Sequence, residues 1–214
     1  LADICPAISG NGGYPLRPFQ WDALRAQGID VLFLATPHEV SRAWAPEALR
    51  RGVQVVDLSG AWRIADPGHR AIYEFHDADP AAADRLTAQA VYGIPELHRE
   101  RLKQAPLVAN AGCYATSIIL ALAPLVRAGL LDLAHGIVCD SKSGVSGAGK
   151  QPTPKTHFVE VAGNLSAYSV FNHRHTGEIL EQLGLTDDQL VFTPHLLPIP
   201  RGILSTIYAR LKSP

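Results

Sequence analysis

The amino-acid sequence predicts an α/β protein in two parts, a parallel sheet covered on both faces followed by an α+β part with a largely antiparallel sheet. The first part is predicted by apolar runs that alternate with helical patterns, each run being apolar throughout, as in strands buried on both faces. The second part is predicted by runs that alternate between apolar and polar residues, which is typical of strands with one covered face. We expect the boundary close to Cys113.

The first part is predicted to alternate strand and helix. Strands are expected at 30–37, 54–59 and 106–110, and helices at 45–52 and 95–104. The earlier helix has Pro46 in its first turn and Gly52 just past its end, which is the usual placement of these residues. Residues 60–94 are predicted to be irregular, and a loop of that length is more often functional than idle.

The second part is predicted to be a sheet with one helix inserted. Strands are expected at 135–144, 156–161, 164–170, 190–196 and 202–211. The helix is expected at 175–184, with Thr176 as its cap and Gly184 as its stop.

Composition indicates a globular protein of a reducing compartment. Of 214 residues, 47% are hydrophobic and 18% charged, and the formal net charge is −1. Because no basic face and no polybasic or apolar anchor is evident, neither nucleic acid nor a membrane is an expected partner. Three widely spread cysteines argue against a disulfide framework and favour the cytoplasm. The sequence starts at Leu1 and lacks methionine, so we expect a longer polypeptide.

Cys113 is the strongest candidate for chemistry. It follows a glycine turn between an apolar run and a helical run, which places it at a helix N-terminus, where unpaired N–H groups stabilise a thiolate. The same N–H groups, with the amide of Asn110, could hold an oxyanion. The alternative is a small buried hydrophobe, which is the expected state of Cys139. Cys5 receives no role.

The stretch FNHRHTGE offers a base for such a nucleophile. His173 and His175 are two residues apart, so in extended backbone they point the same way. Two histidines could also be half of a metal site, but no carboxylate or cysteine cluster completes one, so no metal is expected. Surface histidines near a helix start are the remaining alternative.

Two further segments could bind ligands. KSGVSGAGK (142–150) leaves backbone N–H groups open, although it lacks P-loop spacing because Gln151 follows Lys150, and it could be only a flexible connection. TPHLLPIPRGI (193–203) brings His195 and Arg201 into a proline-stiffened turn. An arginine there could clamp a carboxylate or phosphate, although most arginines are solvent-exposed.

Together these stretches resemble the N-acetyl-gamma-glutamyl-phosphate reductase family of arginine biosynthesis. Seven matches follow the family's order and span roughly residues 30–210. They are LATPH (34–38), DLSGAWR (57–63), VYGIPEL (91–97), NAGCYATS (110–117), KSGVSGAGK (142–150), HRHTGEI (173–179) and FTPHLLPIPRGI (192–203). The resemblance implies a partial doubly wound, Rossmann-like dinucleotide-binding domain over residues 1–112 and a catalytic domain over residues 113–214.

The resemblance implies that NADPH reduces N-acetyl-gamma-glutamyl phosphate to N-acetylglutamate semialdehyde and phosphate. Cys113 would attack the acyl phosphate, phosphate would leave, a thioester would form, and hydride would release the semialdehyde. In the reverse direction the base falls on the HRH element. There His173 is preferred over His175, because capping ties His175 to the helix start.

The resemblance also assigns binding residues. The nicotinamide would lie beside Ser146, Gly147, Ala148 and Gly149, the cofactor would also contact Pro37, His38 and Ser59, and Arg63 and Arg201 would hold the anionic groups of the substrate. A homo-oligomer, dimer or tetramer, is expected, because strands after residue 150 could pair across subunits.

Three departures from the family pattern stand out. Ala111 and Gly177 replace prolines without removing a reacting group. The N-terminal glycine-rich fingerprint and a C-terminal segment are missing, and SGNGGYP (9–15) is no substitute because it does not open a helix after a strand.

Three other kinds of protein are compatible with these residues. A reductase for a related acyl phosphate or aspartate-semialdehyde dehydrogenase would share the chemistry, because one methylene changes pocket binding by only about 1–3 kcal/mol. A cysteine–histidine acyltransferase or hydrolase would need no nicotinamide. A truncated or regulatory domain would bind without reacting.

Overall fold

The computed structural model describes residues 15–149 and 151–212, which contain two four-stranded sheets. Cys5, residues 9–14 of the glycine segment and Lys150 lie outside these ranges. The predicted α/β fold class is confirmed, with a parallel sheet first and a second sheet after it.

The first sheet is parallel throughout. Its part of the chain contains, in order, α1 (Trp21–Ala26), β1 (Val31–Leu34), α2 (His38–Arg50), β2 (Gln54–Asp57), α3 (Pro67–Arg70), a 3-10 turn (Ala71–Tyr73), α4 (Pro80–Gln89), β3 (Val91–Gly93), α5 (Pro95–Leu102) and β4 (Leu107–Asn110). The strand order is β1–β2–β4–β3. Leu34, Val55 and Leu107 are buried in one cluster with Ala45 and Ala48 of α2, so apolar burial holds sheet and helix together.

The carboxyl ends of these strands meet at one edge of the sheet. Leu34 pairs with Asp57, Asp57 pairs with Ala109, and Gly93 pairs with Asn110. A Cβ at Gly93 would lie 2.9 Å from the Asn110 Cα, so glycine permits β3 to approach this closely. Four of the seven motifs therefore continue from the edge at which open α/β sheets bind ligands.

Helix α2 begins earlier than predicted. It starts at His38 and contains Pro46 in its interior, so the prediction of a helix at 45–52 with a proline in its first turn was wrong. The helix buries Ala45 and Ala48 against the sheet. The free energy gained by that burial outweighs the cost of the helix hydrogen bond that Pro46 cannot donate. Gly52 adopts a positive φ of 78° past the helix end, as its predicted position requires.

Residues 60–94 are more regular than predicted, since they contain α3, α4 and β3. Each helix starts in the same way. The side chain of Asp66 accepts the N–H of His69, the side chain of Asp79 accepts that of Ala82, and a proline follows each aspartate. This Asp-Pro pattern is visible in the sequence and predicts a helix start.

The second sheet is mixed. Its part of the chain contains α6 (Cys113–Arg127), a 3-10 turn (Leu133–His135), β5 (Ile137–Gly144), a 3-10 turn (Val145–Ala148), α7 (Phe158–Val161), β6 (Ser166–Ala167), α8 (His175–Leu183), a 3-10 turn (Asp187–Gln189), β7 (Leu190–Leu197) and β8 (Ile203–Tyr208). The strand order is β6–β7–β5–β8. Both outer pairings are antiparallel, as predicted, but β5 and β7 pair in parallel through the centre.

Helices α6 and α8 pack on this sheet and form its core. Ile118, Ile179 and Phe192 are buried in one cluster with Cys139, which is fully buried as predicted. Tyr92 of β3 belongs to the same cluster, so the first sheet contributes to the core of the second part.

Two predicted strands are absent or short. Residues 156–161 instead form a turn followed by α7, and Phe158 is 83% exposed. No described strand pairs with this segment, and β propensity alone does not make a strand. Only Ser166–Ala167 remains of the strand predicted at 164–170. Ser169 and Phe171 have positive φ angles of 46° and 64°, which turns the chain away from the sheet.

The start of α8 also differs from the prediction. Thr176 is not its cap, because the helix begins at His175 and Arg174 occupies the N-cap position. The N–H of His175 is donated to Nδ1 of His173 at 3.1 Å, so an imidazole accepts a bond that a capping side chain usually accepts. Gly184 ends the helix in the left-handed conformation, as predicted.

Candidate active site

Cys113 is the first residue of α6, and its side chain is exposed. The residues on both sides, Gly112 and Tyr114, are buried, so the thiol emerges from a packed surface. The carbonyl of Gly112 accepts the N–H of Thr116 at 2.8 Å, which is the first bond of the helix. The N–H groups of the first turn have no partner within the helix and give the region partial positive charge, which favours a thiolate.

Gly112 lets an imidazole approach the backbone beside this thiol. A Cβ at Gly112 would lie 2.5 Å from Nε2 of His175, closer than any real contact of such an atom. The backbone of Gly112 has φ −69° and ψ 151°, which any residue can adopt. Glycine is therefore required here for space and not for conformation.

The two histidines of the HRH element form one buried pair. The rings of His173 and His175 have centroids 4.7 Å apart, and the ring of Tyr114 lies edge-on to both. Because Nδ1 of His173 accepts the N–H of His175, the hydrogen of neutral His173 is on Nε2. Nδ1 of His175 is buried and has no hydrogen-bond partner among the described residues.

Burial keeps both imidazoles neutral. It lowers the pKa of His173 to about 3, and the positive charges of His175, when protonated, and of Arg174 act in the same direction. Burial also lowers the pKa of His175 to about 3, helped by the charges of Arg63 and Arg174. At neutral pH both rings are therefore unprotonated.

This burial predicts acid-labile folding. Histidines in the unfolded chain have a pKa of about 6.5. Between about pH 6.5 and 3 the unfolded state therefore binds protons that the folded pair does not bind. We expect the free energy of unfolding to be fully retained above pH 6.5 and to fall as pH drops toward 3, by up to about 2.7 kcal/mol per pH unit for two protons. Urea unfolding at stepped pH measures this slope. A variant that replaces both His173 and His175 with glutamine should have a shallower slope, and an equal slope would contradict the assignment.

Glu178 is a fully buried carboxylate that the sequence analysis missed. Its Oε2 accepts the N–H of Gly112 at 2.9 Å and the hydroxyl of Tyr92 at 2.5 Å. Its Oε1 accepts Nη1 of Arg63 at 3.2 Å and lies 3.8 Å from Nε2 of His175. Three donors thus converge on one carboxylate directly behind the thiol. A glutamate in the first turn of an amphipathic helix is usually solvent-exposed, so sequence alone gave little signal for it.

The guanidinium of Arg63 is bound by other residues of the protein. Beyond its ion pair with Glu178 it donates Nη2 to the carbonyl of Leu58 at 2.9 Å, and only 9% of the residue is exposed. Arg201 is different, because it is exposed in the turn before β8. The two arginines predicted to hold substrate therefore lie in contrasting environments.

The glycine-rich loop is fixed against the turn that carries Arg201. The N–H groups of Gly144, Val145 and Ser146 donate to the carbonyls of Gly202, Ile199 and Pro200 at 2.9–3.0 Å. A Cβ at Gly144 would lie 2.7 Å from the N of Arg201. Gly147 and Ala148 complete the 3-10 turn, and Gly149 follows with φ 91°.

The remaining predicted residues lie at the carboxyl edge of the first sheet. Asn110 ends β4, and its Nδ2 donates a long bond of 3.4 Å to the carbonyl of Ala111. Pro37 precedes α2, and the ring of His38 contacts Tyr73 and Phe75 edge-on. The hydroxyl of Ser59 donates to Asp57 at 2.8 Å and accepts the N–H of Ala61 at 3.1 Å, so it shapes the turn after β2.

Two negative findings concern only the described residues. Within 15–149 and 151–212, no three or more His, Cys, Asp or Glu side chains are grouped so as to hold a metal ion. Over the same part of the chain, no helix has the length and apolar character needed to cross a membrane.

Comparison with known proteins identifies the class. Residues 1–105 match the family described as semialdehyde dehydrogenase, NAD binding domain, and residues 113–214 match semialdehyde dehydrogenase, dimerisation domain. The chain belongs to the semialdehyde dehydrogenase family. In solved structures it resembles aspartate semialdehyde dehydrogenase II from Vibrio cholerae, with a TM-score of 0.62 and 17% identity over 86% of this chain and 56% of that one. At that identity the likeness concerns the fold alone.

Sequence similarity narrows the class and confirms the resemblance seen in the motifs. N-acetyl-gamma-glutamyl-phosphate reductase from Shouchella clausii is 44% identical over 99% of this chain and 60% of its own length. The protein of that name from Desulforudis audaxviator is 52% identical over 85% of this chain and 52% of its own length. The chain thus spans about 52–60% of the length of these curated relatives.

Proposed function

We propose that this chain is the cysteine-bearing part of an NADPH-dependent N-acetyl-gamma-glutamyl-phosphate reductase, which forms N-acetylglutamate semialdehyde and phosphate in arginine biosynthesis. The observation that carries the proposal is an exposed thiol at a helix start, with a buried neutral imidazole against the preceding residue. The names of relatives at 42–52% identity support the choice of substrate.

Cys113 serves as the nucleophile in this proposal. Its sulfur attacks the acyl carbon, the bond from that carbon to the phosphate oxygen breaks, phosphate leaves with the bonding electrons, and a thioester forms. The N–H groups at the start of α6 and the amide of Asn110 hold the negative oxygen during the attack. The long bond that Asn110 makes to Ala111 is easily exchanged for one to substrate.

The base comes from the HRH element, and the geometry favours His175. Although the sequence preferred His173, Nδ1 of His173 is occupied by the N–H of His175. Nε2 of His175 faces the cysteine turn, 2.5 Å from a Cβ position at Gly112, and Oε1 of Glu178 lies 3.8 Å from the same nitrogen, where it stabilises the imidazolium. His173 then donates Nε2–H to a substrate oxygen.

In this proposal the glycine-rich loop holds the nicotinamide end of the cofactor. Gly149 has no heavy atom within 4 Å of a Cβ position and, with Val145 and His157, lines a cavity of about 260 Å³. Ser146, Gly147, Ala148 and Gly149 would hold the nicotinamide end, and Pro37, His38 and Ser59 would contact the cofactor at the carboxyl edge of the first sheet. When bound, NADPH supplies the hydride that reduces the acyl group.

The two arginines have different roles in this proposal. Arg201 is exposed beside the glycine loop and would hold an anionic group of the acyl phosphate directly. Arg63, predicted to do the same, has its charge paired with Glu178, so within the described structure it supports the site from behind.

The domain division of the chain and its location follow from the proposed enzyme class. We infer a partial dinucleotide-binding domain over residues 1–112, a catalytic domain over 113–214, and a cytoplasmic location.

The described part of the mixed sheet exposes large apolar side chains on its outer face, namely Val138, Val191, Leu204 and Tyr208. We infer that a second copy covers this face in a dimer, which agrees with the match to a dimerisation domain. Light scattering should show a monomer for Leu204→Glu and an oligomer for the parent.

Substrate turnover tests the activity. The full-length protein should reduce NADP when given N-acetylglutamate semialdehyde and phosphate, and do so poorly with aspartate semialdehyde or with NAD. Replacing Cys113 with serine should remove the signal because the hydroxyl is a far weaker nucleophile. Faster turnover of aspartate semialdehyde would assign the other reductase, and no absorbance change with any substrate would favour a hydrolase or a binding domain.

Thiol labelling offers an independent prediction. Burial raises the pKa of Cys139 to about 12, so that thiol should stay unlabelled at neutral pH. We expect iodoacetamide to label Cys113 at least about a thousandfold faster, as read by peptide mass mapping. Equal and slow labelling of the two residues would argue for an inert Cys113.

A further inference from the structure

Tyr92 lies in VYGIPEL, a motif to which the proposed mechanism assigns no role. It is the middle residue of β3 and is only 5% exposed. Its backbone pairs with Ala109, which lies four residues before Cys113. Its hydroxyl crosses to the second part of the chain and donates to Oε2 of Glu178 at 2.5 Å.

The oxygen that Tyr92 contacts also holds the backbone beside the thiol. Oε2 of Glu178 accepts the N–H of Gly112 at 2.9 Å, while the carbonyl of Gly112 accepts the N–H of Thr116 at 2.8 Å. Both polar groups of the residue before Cys113 are therefore fixed, one by the helix and one by the carboxylate. The direction of the thiol depends on where that carboxylate lies.

The hydroxyl acts on charge as well as on position. Burial and the neighbouring carboxylate raise the pKa of Tyr92, so it remains a donor at any working pH. A hydrogen bond to a charged acceptor is stronger than one between neutral groups, and here it offsets part of the negative charge behind Cys113. Arg63, whose Nη1 is 3.2 Å from Oε1, offsets the charge from the other side.

We propose that Tyr92 is a positioning residue for Cys113, which acts by holding Glu178 against the N–H of Gly112. The role in turnover rests on the proposed function. Without the hydroxyl, Glu178 is held by fewer donors, Gly112 gains freedom, and the thiol is less well aligned with the acyl carbon.

Tyr92→Phe removes one oxygen and keeps the ring in place. In the full-length protein we expect kcat to fall about tenfold and KM for the semialdehyde to stay within about twofold, because alignment is lost and binding is not. We also expect iodoacetamide to label Cys113 about threefold or more slowly at pH 7, since a less neutralised carboxylate opposes the thiolate.

A matched control separates positioning from a general loss of packing. Thr87→Val also removes one buried hydroxyl, but that hydroxyl donates only to Ala83 of its own helix at 2.8 Å. It should leave kcat and the labelling rate of Cys113 unchanged. Circular dichroism should show the same fold for both variants.

The outcomes are distinct. Parent values of kcat or of labelling rate in Tyr92→Phe would overturn the proposal, as would equal losses in Thr87→Val. Labelling needs neither substrate nor cofactor. If the parent fails to reduce NADP, the proposed function fails, and slower labelling in Tyr92→Phe alone would still support the positioning of Cys113.

Discussion

Replacing Glu178 with glutamine should destabilise the fold by about 3–5 kcal/mol, the usual effect of breaking a buried ion pair from one side. Glu178 is fully buried and paired with Arg63, which is itself only 9% exposed. Glutamine has almost the same size but no charge, so the guanidinium would remain in a site of low polarity without a counter-ion. Urea unfolding at neutral pH measures the loss.

A surface glutamate provides the control. Among the residues that the structure describes, Glu100 pairs only with Lys103, and its side chain is 77% exposed. Glu100→Gln should change the free energy of unfolding by less than about 0.5 kcal/mol, because solvent screens exposed pairs. If the two variants lost equal stability, the buried ion pair would not be a main support of this region.

Adding one methyl group at Gly112 should nearly abolish turnover. In Gly112→Ala the new Cβ would lie 2.5–2.8 Å from three atoms of the ring of His175, a residue that is only 5% exposed. The ring or the start of α6 must shift, and a displacement of about 1 Å at a reacting group costs about a hundredfold in rate. Overpacking should cost only about 1–3 kcal/mol of stability.

The control for this variant is a glycine with a yielding neighbour. At Gly68 a Cβ would meet only an oxygen of the Asp66 side chain at 3.1 Å, so the carboxylate that caps α3 needs to shift by only a few tenths of an ångström. Gly68→Ala should keep kcat within about twofold of the parent. Normal turnover in Gly112→Ala would mean that the imidazole is not held against the cysteine turn.

Local signals made part of this site predictable. The glycine turn between an apolar strand and a helical run placed Cys113 at the start of α6, where the structure has it. Gly184 marked the end of α8 for the same kind of reason, because glycine favours the left-handed stop.

The rest depends on contacts between distant segments. Glu178 meets Tyr92 and Gly112 across separations of 86 and 66 residues, and no local pattern reports such a meeting. The parallel pairing of β5 with β7 was missed for the same reason, since alternation shows which face is covered but not which strand lies alongside. Residues 156–161 show the opposite error, because a strand-like composition found no partner.

Under the proposed function, the backbone bonds that tie Gly144, Val145 and Ser146 to residues 199–202 have a consequence for binding. Because the two segments are joined along their main chains, they would shift as a single body. A dinucleotide that draws in the first segment would carry Arg201 with it. Affinity for the cofactor and affinity for the acyl phosphate would then be thermodynamically linked, each raising the other by the same factor.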